Sequence, residues 1–200
     1  MVLGICIFFP LWYVGIKNKQ PLSDIGITTK GWKNALLIGL IFVLFSVPWR
    51  IVGKDLLLPR MDIIFFTGIA LVMSSLFEEI FFRGFLQTRF EKSFGIVPAI
   101  VLSGLAFSLY HLGYADYRNI DLLITLFFVG MFFAVTFRVT NNVITSFVVN
   151  LPHAIVTFIE KGVFFDGRVA VIASITTVVA VGLVVLVIKM SRKEQKNNVS

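Results

Sequence analysis

Residues 62–83 read DIIFFTGIALVMSSLFEEIFFR. Sixteen mostly apolar or small residues precede Glu78 and Glu79, and Arg83 closes the run. A helix this apolar belongs in a bilayer, where a charged side chain at the centre costs about 2.5–3.5 kcal/mol on insertion scales. Two adjacent carboxylates within such a helix therefore need partners or a task.

Composition extends that inference to the whole chain. Of 200 residues, 58% are hydrophobic and 14% charged, and mean hydropathy is +0.92. Soluble domains carry roughly 25% charged residues. The apolar runs are continuous, not alternating, which argues for helices and against a β-barrel. The expectation is an all-α polytopic membrane helix bundle with about seven transmembrane helices around a hydrated cavity. The expected spans are 1–16, 34–52, 62–90, 95–113, 121–138, 143–160 and 169–189. The first span lacks a basic leader and a small-residue cleavage site, so it reads as a membrane helix and not a signal peptide. Its abrupt start at Met1 leaves room for an earlier helix. No repeat or low-complexity linker divides the chain, so residues 1–200 read as one integral membrane domain, with a tail at about 190–200. Cys6 is the only cysteine, which excludes an internal disulfide.

Charge orients the bundle. Twelve of the 18 Lys and Arg residues fall on one side of these spans, including Lys17, Lys19, Lys30, Lys33, Arg83, Arg89, Lys92 and Arg138, and six fall on the other. The richer side should be cytoplasmic, with the N-terminus outside and the C-terminus inside. The net charge of +7 then reflects topology and attraction to anionic lipid. No basic patch with interleaved aromatics points to nucleic acid.

Three groups of residues could carry chemistry. Glu79 and Arg83 are four apart and face each other on a helix, whereas Glu78 points about 100° away from Glu79. Glu79 is thus the expected partner of Arg83, leaving Glu78 to face a cavity. The bland alternative places both carboxylates at the interface, paired with Arg83 and Lys92. His111 follows Phe107 by four residues at the end of the next apolar run. With the helix break at Ser93-Phe94-Gly95, Glu78 and His111 both lie roughly 25 Å from the turn at about 1.5 Å per residue. A carboxylate and an imidazole at one depth can activate water; an interfacial histidine is the plainer alternative. The same two side chains, Glu78 and His111, are the candidate metal ligands, although they are few for zinc and no H-E-x-x-H occurs. Finally, Asn150 and His153 lie three apart with Pro152 between them, and either form an oxyanion hole or act as polar contacts between helices. Ser74, Ser75, Ser103, Gly104 and Ser108 permit close helix approach.

The order E-E-x-x-x-R (Glu78, Glu79, Arg83), then F-x-x-x-H (Phe107, His111) on the following span, resembles the CAAX protease and bacteriocin-processing (Abi) family of intramembrane endopeptidases. RGFLQ after Arg83 and the run SGLAFSLYHL support the likeness, which covers about residues 62–160. The resemblance implies a helical membrane fold enclosing a cavity, in which Glu78 and His111 activate water for peptide hydrolysis. It leaves two cofactor readings open: a zinc metalloprotease and a metal-free glutamate mechanism. The third family motif, H-x-x-x-N, has no counterpart here. Asn150 stands either at the Asn position, with Ser146 where His is expected, or at the His position, with Ala154 at the Asn.

The leading expectation is an intramembrane endopeptidase acting on a membrane-associated protein or peptide, in a bacterial plasma membrane. A non-catalytic immunity or scaffold protein that keeps the fold is the alternative. A proton-coupled transporter is a third class, disfavoured because the spans show no inverted repeat.

Overall fold

A computed structural model describes residues 8–52 and 61–161. Every regular element among them is a helix. We label the α-helices α1 (Trp32–Ser46), α2 (Met61–Glu78), α3 (Thr88–Phe94), α4 (Ile96–Tyr110), α5 (Ile120–Thr140) and α6 (Val143–Lys161). Short turns of helix at Pro48–Ile51, His111–Gly113 and Ala115–Tyr117 lie between them. Two π-helical segments, Trp12–Lys17 and Glu79–Gln87, and a 3-10 turn at Leu22–Ile25 are also present.

Three helical stretches are long and apolar enough to cross a bilayer: Ile96–Gly113, Ile120–Thr140 and Val143–Glu160. α1 is apolar but shorter. Apolar side chains such as Leu44, Phe45, Val97 and Phe128 are exposed, as expected of a surface solvated by lipid. The chain is therefore a helical membrane bundle. Of the seven spans read from sequence, 34–52 is broken near Pro48, and 62–90 is a continuous helical run whose middle changes register. The span at 169–189 and the start of the first lie outside the described residues.

Helix ends follow from local chemistry. Gly95 adopts φ +86°, a conformation that side chains resist, and it separates α3 from α4 where the sequence placed the break. Asn119 caps α5, its Oδ1 accepting the Asp121 amide at 2.8 Å. Asn141 ends that helix in the left-handed region at φ +51°, as Asn often does.

The chain divides into two compact units. One comprises Asp24–Phe42 and Glu78–Val149. Its centre is the crossing of α4 and α5, where a Cβ on Gly130 would lie 3.0 Å from the Gly104 Cα. Small residues thus set the helix separation. The 24–31 segment docks onto this unit. The Val143 amide donates to the Gly26 carbonyl at 3.0 Å, and Asn142 Nδ2 donates to the Thr28 and Lys30 carbonyls at 3.3 and 3.4 Å. The other unit comprises Met1–Ser23, Val43–Phe77 and Asn150–Ser200. Within it His153 Nε2 lies 3.0 Å from Ser46 Oγ, and Phe9 packs on Trp12 and Tyr13.

Candidate active site

The site residues start at a change of helical register. α2 ends at Glu78, and from Glu79 to Gln87 the backbone follows a π-helix. Hydrogen bonds there close from i to i+5, a rare geometry that concentrates at functional sites. The wider turn still stacks residues four apart. Arg83 Nε lies 3.6 Å from Glu79 Oε2, and neither side chain has any exposed surface. Ser103 on α4 donates to the Phe82 carbonyl at 3.1 Å, satisfying a backbone group within the altered segment.

Arg83 is held by charge and aromatic faces. Its guanidinium carbon lies 4.7 Å from the Phe107 ring centroid, 5.6 Å from Phe133 and 5.8 Å from Phe82. Among the described residues its three guanidinium nitrogens have no hydrogen-bond acceptor. Desolvated cation–π contacts are worth about 2 kcal/mol or more, and the Glu79 carboxylate supplies the opposite charge. Both glutamates act on this cation, Glu79 more strongly than Glu78. The division expected from helical spacing therefore holds: Glu79 is buried as the partner of Arg83, while Glu78 is only part-buried.

Phe107 links Arg83 to the histidine. Its ring lies under the guanidinium, and its carbonyl lies 2.8 Å from His111 Nδ1. A carbonyl can only accept, so Nδ1 carries the proton, and in the neutral ring Nε2 is then an acceptor. The Phe107 and His111 rings are in edge contact at 4.7 Å.

His111 ends α4 and opens a tight turn that folds three tyrosines around it. The Tyr114 amide donates to the His111 carbonyl at 3.0 Å, and the Tyr117 amide to the Tyr114 carbonyl at 3.1 Å. The His111 ring consequently lies 5.2 Å from Tyr110, 5.8 Å from Tyr114 and 5.2 Å from Tyr117. The Tyr110 and Tyr114 hydroxyls are 2.8 Å apart. Tyr114 lies beyond the membrane span and keeps 45% of its surface exposed. Partial burial raises its phenol pKa above the ordinary value; the Tyr110 hydrogen bond opposes this, and the Glu78 and Tyr117 charges reinforce it.

The remaining sequence candidates are placed as follows. Asn150 is buried and belongs, with His153, to the unit that does not contain Glu78 and His111. Ser146, at one of the positions where the third motif has His, is wholly buried, and its Oγ donates to the Val143 carbonyl at 3.3 Å.

A family model described as type II CAAX prenyl endopeptidase Rce1-like matches residues 59–159. The chain belongs to the Rce1-like family. No curated protein and no solved structure matches it. Membership in the Rce1-like family implies a membrane protease acting on membrane-associated substrates. The matched segment contains Glu78, Glu79, Arg83, Phe107, His111, Asn150 and His153.

The tyrosine cluster escaped the motif-based reading of this Rce1-like chain. The signal was present, since three of the four tyrosines fall within residues 110–117, around His111. Gln87 was also missed. It is wholly buried and donates to the Ala134 carbonyl and to Glu91, each at 3.1 Å.

Proposed function

We propose that this protein is an intramembrane endopeptidase that hydrolyses a peptide bond of a membrane-associated protein or peptide, with water activated by Glu78 and His111. The observation that carries it is the Rce1-like family match over residues 59–159, a segment that holds Glu78 and His111. By family, the substrate class is a prenylated C-terminal peptide. The setting is a bacterial plasma membrane, with the C-terminus cytoplasmic as the charge asymmetry requires.

In the neutral ring, His111 Nε2 accepts one hydrogen of the water and Glu78 accepts the other. The oxygen lone pair is then directed at the scissile carbonyl. As the oxygen attacks carbon, Glu78 takes the proton and the carbonyl electrons move onto oxygen. Glu78 returns the proton to the leaving amine as the intermediate collapses. Glu79 and Arg83 hold the Phe107 ring, and through it the helix turn that carries His111. Asn150 and His153 remain candidate hydrogen-bond donors in their own unit, tested by Asn150→Ala and His153→Ala.

Catalytic zinc takes three protein ligands. Among the described residues no three His, Cys, Asp or Glu side chains cluster. These donors do not fit a zinc site, and no step above runs through a metal.

The deciding experiment incubates the purified protein in proteoliposomes with a prenylated C-terminal peptide. Glu78→Gln should lower kcat about 10²–10⁴-fold, the range of a general base. Cleavage at the normal rate by that variant removes Glu78 as the base. The absence of an H-x-x-x-N motif from the sequence favours a second reading, a non-catalytic immunity or scaffold protein. It predicts that Glu78→Gln and His111→Ala variants still protect cells from a membrane-active toxin.

A further inference from the structure

Serine and threonine hydroxyls inside helices commonly return to a carbonyl of their own helix. Thr125, Thr136, Ser146 and Thr157 do so. Ser103 does not. It has no exposed surface, and its Oγ donates across to the Phe82 carbonyl at 3.1 Å. The direction is fixed, because a carbonyl only accepts. The bond lands inside the π-helical segment Glu79–Gln87 and stays within the unit that holds Glu78 and His111. Phe82 lies four residues after Glu78. Ser103 lies four before Phe107 and eight before His111, so the three share one face of α4. The Phe82 ring meets Phe107 at 5.5 Å and Tyr110 at 5.4 Å between centroids. Carbonyl and ring of one residue therefore both grip the helix that ends at His111.

We propose that Ser103 is a positioning residue for the hydrolytic site, its hydroxyl pinning the π-helical register and with it the placement of Glu78 against His111. This rests on the endopeptidase reading given above. The two runs pass antiparallel on either side of the Gly95 break, so Glu78 and His111 lie on the same side of the Ser103–Phe82 bond. Helical rise puts them roughly 6 and 12 Å beyond it. Side chains on a helix lean towards its N-terminus. His111 therefore leans back towards the pin and Glu78 away from it, which closes the offset. Register matters as much as depth. Tightening one turn from i+5 to i+4 removes a residue from it and rotates everything before it by roughly 100° about the axis. A relaxed segment would carry Glu78 off the His111 side, while Glu79 and Arg83, four apart within the segment, would keep their ion pair. Ser103 thus acts through Phe82 and not on the substrate.

The test compares Ser103→Ala, Ser108→Ala and Glu78→Gln with the unaltered protein in proteoliposomes, using the same prenylated peptide. Ser108 also bonds across helices, to the Leu123 carbonyl at 2.6 Å. That bond lies outside the π-helical segment, so its loss reports the general cost of such a contact. A misplacement of about 1 Å can cost about 10²-fold in rate. Ser103→Ala should lose at least tenfold in kcat with KM within threefold, and Ser108→Ala should stay within threefold in both. Amide exchange across residues 79–87 should quicken in Ser103→Ala and not in Ser108→Ala. A smaller loss, a loss carried by KM, or an equal loss in Ser108→Ala overturns the assignment, while a dead Glu78→Gln keeps the endopeptidase reading. Unchanged exchange across residues 79–87 overturns the pin whatever the rates. Full cleavage by Glu78→Gln overturns both readings. If Ser103→Ala fails to fold, Ser103→Cys keeps a similar shape and weakens the donor. A lowered kcat at constant KM then supports the role, and an unmoved kcat overturns it.

Discussion

Glu79 Oε2 and Arg83 Nε lie 3.6 Å apart with no exposed surface on either side chain. The anion compensates a cation that also lies against the rings of Phe82, Phe107 and Phe133. Removing one partner of a buried pair costs about 3–5 kcal/mol, because the other charge stays behind. Glu79→Gln should therefore lower the thermal unfolding temperature in detergent sharply. A double Glu79→Leu, Arg83→Met variant should recover most of the loss, since well-packed apolar replacements of buried pairs are often neutral. Equal destabilisation by the single and double variants would remove the pair as the cause.

Adjacent glutamates should separate stability from catalysis. Glu78 is part-buried and acts on Tyr114, whereas Glu79 is sealed against Arg83. Glu78→Gln is expected to leave the melting temperature within about 2 °C while cleavage falls at least a hundredfold. Glu79→Gln is expected to melt early. The check is a melting curve and a cleavage assay on both variants. A melting loss in Glu78→Gln equal to that in Glu79→Gln would show that both carboxylates are structural.

Much of this arrangement was legible in sequence because it is local. The pairing of Glu79 with Arg83 follows from residues four apart, and it survives the π-helical register because a wider turn still stacks them. The break at Gly95 and the turn after Thr140 follow from residues that tolerate positive φ. The register change itself was not legible. Within it the Phe82 carbonyl accepts from Ser103, 21 residues away, and no helical pattern encodes that partner. The docking of residues 24–31 on Asn142 is likewise non-local, with 114 residues between Thr28 and its donor. The tyrosines around His111 were visible as a local enrichment. Their value emerged only once the His111–Gly113 turn folded Tyr114 back over the imidazole.

Gly84 is the position where the π-helical segment meets the docked chain. A Cβ there would lie 2.6 Å from the Ile25 carbonyl oxygen. Backbone cannot rotate away as a side chain can, so Gly84→Ala must push residues 24–31 outward. Overpacking of this kind costs about 1–3 kcal/mol. Faster proteolysis or amide exchange in that segment, with α4 and α5 still protected, is the expected result. Unchanged exchange would mean that the close approach is absent in solution.

Metal dependence follows from the donor set. No three candidate ligands cluster among the described residues, and the proposed steps use a carboxylate and an imidazole. Cleavage should persist after exhaustive dialysis against a chelator. Activity lost on dialysis and restored by zinc alone would overturn the metal-free mechanism and reassign Glu78 and His111 as ligands.

Asn142 does two jobs with one amide. Its Oδ1 accepts the Ile144 amide at 2.9 Å, capping the start of α6, while Nδ2 reaches the Thr28 and Lys30 carbonyls. The residue is 2% exposed. Loss of a helix cap costs about 0.5–2 kcal/mol, and the Thr28 and Lys30 carbonyls lose their donor at the same time. Asn142→Ala should therefore destabilise more than a cap alone, with faster exchange in both the first turn of α6 and residues 24–31. Asn142→Asp separates the two jobs, because it keeps the accepting oxygen and removes the donor. It should preserve protection at Ile144 while releasing the 24–31 segment. Loss of protection at both places in Asn142→Asp would show that cap and dock form one cooperative unit rather than two independent contacts.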